Sequence, residues 1–155
     1  EPMLRQARTL SSEETKDLTQ LESIWYEGDI GNDEHYNWTR YYALNLHSVF
    51  YRGTVEWRCF NSTLHAGRAA AYVNLCLAIS AQAIAQRSTV MRKTRSDNEL
   101  FTFRVWLVRL GLNGDEFKHT RDHLLANLEG DRAWRYDKDS YEVNRKKKKQ
   151  REAER

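Results

Sequence analysis

Apolar positions along the chain follow two rhythms. Leu18, Leu21, Ile24 and Trp25 recur at helical spacing, behind Ser11 or Ser12 as a cap and Glu13, Glu14 and Asp17 near the helix N-terminus. Gly28–Trp38, with Gly31, Asn32 and Asp33, reads as a loop. The period then shortens to two. Tyr42, Leu44 and Leu46 alternate with Tyr41, Ala43, Asn45 and His47, which predicts a strand over Tyr41–His47. Past Arg52-Gly53 a second strand is predicted over Thr54–Asn61. Val55, Trp57 and Cys59 would face one side, and Glu56, Arg58 and Phe60 the other. A side that carries both a carboxylate and a guanidinium is not an ordinary buried face.

Helical spacing returns at Thr63 or His65 and runs to about Gln86, with Tyr72, Leu75, Cys76, Ile79 and Ala83 on one side. A polar basic linker follows over Arg87–Arg95. Ser96 and Glu99 stand at capping-box spacing before Phe101, Phe103, Trp106, Leu107 and Leu110, and Gly111 ends that helix. Asp115 opens another, with Phe117, Leu124, Leu125 and Leu128 as its apolar positions and Gly130 as its stop. Beyond Asp131 the apolar pattern fades. Two strands form only a marginal ribbon and need a helix layer, further strands or another chain. The expected class is therefore α+β, a small antiparallel sheet or hairpin packed with several helices. Residues 1–135 read as one domain and 136–155 as a basic, flexible tail.

Composition narrows this picture. A chain of 155 residues with Pro 1 and Gly 7 favours helices joined by short turns over a turn-rich all-β fold. The net charge of +3 conceals a division: Asn144–Arg155 carries seven Lys or Arg against Glu152 and Glu154, so the rest of the chain is slightly acidic. Nucleic-acid binding by the body gains nothing from net charge. Ala69–Ile84 is the most apolar stretch, but Asn74, Ser80 and Gln82 interrupt it, so no membrane partner is expected. Nor is there a positive-then-apolar leader. Cys59 and Cys76, lacking CxxC spacing, read as buried reduced thiols, which points to a cytoplasmic protein.

Few residues carry chemistry on pattern alone. Glu56 and Arg58 could be an ion pair on a solvated strand face. His119 and His123, at i and i+4, have a zinc-compatible spacing but no third ligand and no Glu beside His119. The Phe101, Phe103, Trp106 and Leu110 cluster reads as core. No Gly-rich phosphate loop, nucleophile elbow or Cys/His catalytic pair is present.

The run Tyr41-Tyr42-Ala43-Leu44-Asn45-Leu46-His47-Ser48, then Tyr51-Arg52-Gly53-Thr54-Val55-Glu56-Trp57-Arg58-Cys59-Phe60-Asn61, resembles the C-terminal part of amidoligases of the carboxylate–amine ligase superfamily, which is glutamine synthetase-like. The stretch Phe101-Thr102-Phe103-Arg104-Val105-Trp106, with Gly114-Asp115-Glu116-Phe117-Lys118 after it, is also similar to amidoligases of phages and integrative elements. The resemblance implies an antiparallel sheet that cradles ATP and Mg²⁺, where a carboxylate is phosphorylated and an amine then displaces phosphate. It implies Glu56 near metal and nucleotide and Arg58 facing phosphate as the catalytic pair. Asn45, Arg52 and His47 would contact the cofactor. Members also place a Glu-x-Glu pair on an early strand. Here Glu13-Glu14 is adjacent and on a predicted helix.

The expectation is thus an amidoligase-derived partial domain of a mobile element, acting as a binding or regulatory protein without independent catalysis. An inhibitor of a host defence nuclease, anti-CRISPR-like, is one concrete form of it. The alternative is an ATP- and Mg-dependent amidoligase, active only with an N-terminal half or as an oligomer. A third reading is a nucleic-acid-binding accessory using Arg87–Arg95 and the tail. Expected partners are a protein or ribonucleoprotein, or a second copy pairing through the sheet edge.

Overall fold

The computed structural model describes residues 18–29, 35–90, 92–136 and 138–153. The caps and acids at residues 11–17, and Gly31, Asn32 and Asp33 of the expected loop, lie outside the described residues. The chain divides into two compact units, Glu1–Ser62 with Gln86–Arg92, and Thr63–Ala85 with Lys93–Arg155. Among the described residues there are six α-helices and one two-stranded antiparallel sheet, so the fold is α+β.

In the first unit, helix α1 (Leu18–Trp25) delivers Trp25 and the adjoining Tyr26 to the interior. The Trp25 indole Nε1 donates to Thr39 Oγ1 at 2.9 Å. Thr39 belongs to a 3₁₀ turn, Trp38–Tyr41, whose N-cap Asn37 accepts from the Thr39 amide at 2.9 Å and from its hydroxyl at 2.7 Å. The capped turn consumes the front of the expected Tyr41–His47 strand. Only Leu44–Asn45 remains as β1, because Asn45 Oδ1 accepts from the Ser48 amide at 3.4 Å as the chain turns into helix α2 (His47–Arg52). A period of two was a weak guide here, since both ends of the alternating run are diverted by local side-chain caps. Gly53, at φ +71°, closes α2 by donating to Val49 O at 2.8 Å, a left-handed position that suits glycine.

Strand β2 is likewise short, Glu56–Trp57 rather than Thr54–Asn61. It pairs Leu44 with Trp57 and Asn45 with Glu56, and Arg58 N donates to Ala43 O at 2.8 Å. Cys59 falls beyond the ribbon and is exposed, contrary to the expected buried thiol. Cys76 is half-buried, and both cysteines are free.

The second unit is helical. Helix α3 (Ala66–Ala85) packs on α5 (Lys118–Leu125), burying Ala71, Leu75 and Leu125, with a hydrogen bond of 2.8 Å from Asn74 Nδ2 to Thr120 Oγ1. Asn74, read above as an interruption of an apolar run, is spent on this helix contact. By length and composition alone α3 is long and apolar enough to cross a membrane. Helix α4 (Glu99–Arg109) is capped by Asn98 rather than Ser96. Asn98 Oδ1 accepts from Phe101 N at 2.9 Å, while Ser96 Oγ braces the cap by donating to Asn98 O at 2.9 Å. Asn98 wins because its amide also donates to Asp131 O at 3.1 Å and Trp134 O at 2.7 Å, tying the cap to the far loop.

Gly111 ends α4 as expected. Its amide donates to Val108 O, and the Leu112 amide reaches Leu107 O, both at 3.1 Å, in a Schellman arrangement. Helix α5 begins at Lys118, three residues after Asp115, and the residues beyond the faded pattern form helix α6 (Lys138–Ala153).

Candidate functional site

In the first unit, the ribbon and α2 frame a cavity of about 510 Å³, lined on its polar side by His35, Arg40, Asn45, His47, Ser48, Arg52 and Glu56. The antiparallel register sets Asn45 opposite Glu56. Asn45, 2% exposed, spends both amide hydrogens within the protein: on Glu56 Oε2 at 2.6 Å and Ser48 Oγ at 2.9 Å. The Ser48 hydroxyl donates to the same Glu56 oxygen at 3.3 Å. The other oxygen, Oε1, faces Arg58 Nη1 at 3.6 Å. Glu56 is therefore a carboxylate held in place by two neutral donors and one cation.

His47 is buried where α2 begins. Its Nδ1 bonds the Tyr26 hydroxyl, and its ring lies parallel to that of Tyr51, with centroids 6.3 Å apart. Among the described residues Nε2 has no partner. A buried nitrogen left this way costs about 1–3 kcal/mol, so a polar group entering beside it gains a bond the protein does not make for itself. Arg52 ends α2, exposed, with its guanidinium over Tyr51 at 5.4 Å. Arg40 and His35 complete a wall with more positive than negative groups.

Mg²⁺ wants about six oxygens in octahedral array. Among the described residues Glu56 is the single carboxylate lining the cavity, both of its oxygens are engaged, and no cluster of three metal-ligating side chains occurs. The described donor set does not fit a magnesium ion. It fits an anion, to which Arg40 and Arg52 offer charge and hydrogens and the imidazoles hydrogen bonds.

Residues 1–80, which contain every residue of this cavity, match the family described as "Putative amidoligase enzyme". The chain belongs to the amidoligase family. No curated protein and no solved structure matches it. The match ends at residue 80, so the stretch from Phe101 to Lys118 lies outside it.

In this amidoligase-family chain, Asn45, His47, Arg52 and Glu56 come together on one cavity wall. Arg58 does not line it: its side chain pairs with Glu56 and lies over the Tyr41 ring at 5.3 Å. His35, Arg40, Ser48 and Tyr26 were missed by sequence reasoning. The Asn-x-x-Ser spacing of Asn45 and Ser48 was a usable signal, since an Asx side chain followed by a nearby hydroxyl marks a turn into helix. Nothing in the sequence marks Tyr26, 21 residues from His47. His123 meets His65 edge to face, with centroids 4.9 Å apart, while His119 is exposed, so the i,i+4 pair is split.

Proposed function

We propose that the chain acts as an amidoligase-derived binding domain whose cavity takes an anionic nucleotide, ATP, and that it does not form amide bonds by itself. The observation that carries this reading is the imbalance of the cavity wall: Arg40 and Arg52, with the His35 and His47 imidazoles as hydrogen-bonding groups, stand against Glu56, whose charge Arg58 already offsets. Phosphate oxygens gain charge-assisted bonds from such a wall. Glu56, fixed by Asn45 and Ser48, orders the ribbon and limits how close the phosphates approach. The acidic residues that phosphoryl activation requires would come from elsewhere, in a partner or in other parts of a longer protein.

Calorimetric titration tests this. ATP binds the wild type, and Arg52→Ala weakens it about tenfold, the loss of one charged hydrogen bond. If Arg52→Ala binds ATP like the wild type, the cavity is not the site.

Partner binding as an end in itself is a second reading, favoured by the outer side of α3, where Val73, Leu77 and Ile84 are exposed. An inhibitor of a host defence nuclease is one form of it. Polar substitutions at Leu77 and Ile84 that leave such inhibition intact would exclude α3 from that role.

A further inference from the structure

The segment Tyr36–Tyr41 inverts the usual sorting of side chains. Tyr36, Trp38 and Tyr41 are 77%, 63% and 71% exposed, whereas the polar residues between them, Asn37 and Thr39, are 7% and 2% exposed. Large exposed aromatics beside buried polar groups are the informative deviation from ordinary burial. The inversion is built in. Asn37 caps the turn through both the amide and the hydroxyl of Thr39, and Thr39 also receives the Trp25 indole hydrogen. With the polar side chains pinned inward, the turn holds its rings outward at little further entropic cost.

Cations are interleaved with the rings. The Arg40 guanidinium lies 5.4 Å from the Tyr36 ring centroid and 5.6 Å from that of Tyr41, and Arg58 lies 5.3 Å from Tyr41. Residues 35–42 contain no Asp or Glu, and Asp33 and Glu34 immediately precede them in the sequence. Arg58 shares its charge with Glu56 at 3.6 Å, which leaves Arg40 as the main cation of this surface. We propose that this surface is a docking platform for single-stranded nucleic acid, with bases stacking on Trp38, Tyr36 and Tyr41 and phosphates meeting Arg40 and Arg58. Stacking on aromatic side chains combined with arginine contacts is the physical basis of sequence-tolerant single-strand binding. The platform differs from Arg87–Arg95 and the C-terminal helix, where the sequence placed nucleic-acid contacts, because it supplies rings as well as charge. It shares Arg40 with the cavity wall, while its rings, Tyr36, Trp38 and Tyr41, lie outside that lining.

The test is fluorescence anisotropy of a labelled oligothymidylate of about 12 nucleotides titrated with the full chain. The wild type binds, Trp38→Ala and Tyr41→Ala each weaken binding at least about fivefold, and Trp38→Phe restores most of the loss by keeping a ring. Arg40→Ala lowers the dependence of log affinity on log salt by about 0.7. Replacing Lys146, Lys147 and Lys149 with Gln reduces overall affinity but keeps the Trp38 effect. The proposal is overturned if the wild type does not bind, which assigns the platform to a protein partner. It is equally overturned if Trp38→Ala and Tyr41→Ala bind like the wild type, or if the lysine replacements alone abolish binding.

Discussion

Asn45 shows what a single side chain does in this protein. Its two amide hydrogens, given to Glu56 and Ser48, convert an otherwise repulsive carboxylate at the edge of a positive cavity into a fixed feature. Asn45→Ala leaves that carboxylate short of a donor and is expected to lower unfolding free energy by about 1–3 kcal/mol in urea denaturation. An unchanged midpoint would mean that solvent replaces Asn45 without cost. The resemblance led us to read Asn45 as a nucleotide contact. Residue type was legible, but whether its hydrogens are already spent was not, because that depends on the cross-strand register with Glu56. The same limit applies to Arg58, which sits on the expected strand face and turns to Tyr41 rather than to the cavity.

At the scale of elements, helices were read well wherever a long apolar period met a clear stop. Gly111 ended α4 as expected and Leu107 in that helix is fully buried, whereas Trp106, read as core with Phe101, Phe103 and Leu110, is exposed and the other three are half-buried. Leu107→Ala removes a core side chain that the neighbours cannot replace, and should cost about 2–5 kcal/mol. A smaller loss would mean that the second unit collapses around the cavity. The strands were overextended for the opposite reason: the competing signals were single polar residues, Asn37 and Asn45, acting over two and three positions. Helix α5 carries a pH-sensitive contact. Lys118, by hydrogen bond and charge, and Arg132 hold Asp122 below the ordinary carboxylate value of 3.8, against an opposing effect of desolvation. Because its folded value is depressed, Asp122 stabilises the fold fully above the ordinary value and loses that contribution as pH falls through the depressed one. Its exposure keeps the effect to about 0.5 kcal/mol or less. Asp122→Asn should therefore weaken stability near pH ~7 and converge with the wild type near pH ~2. A difference that persists unchanged in acid would assign the effect to packing.

For the molecule as a whole, net charge was a poor guide to where arginines and imidazoles gather. Most of the positive excess belongs to the lysine-rich C-terminal helix, yet Arg40, Arg52 and two imidazoles converge on one cavity of a body that is slightly acidic overall. The family resemblance was legible because the ribbon motif holds its residues within a short span, from Tyr41 to Asn61, and the match over residues 1–80 contains all of it. Tyr26 was invisible because folding, not spacing, brings it to His47. The most direct test of the central claim is calorimetric titration of ATP with and without Mg²⁺, combined with an assay for phosphate release. The account predicts binding that Arg52→Ala weakens and Mg²⁺ changes little, with no release of phosphate by the chain alone. Mg²⁺-dependent phosphate release that Glu56→Ala abolishes would contradict it.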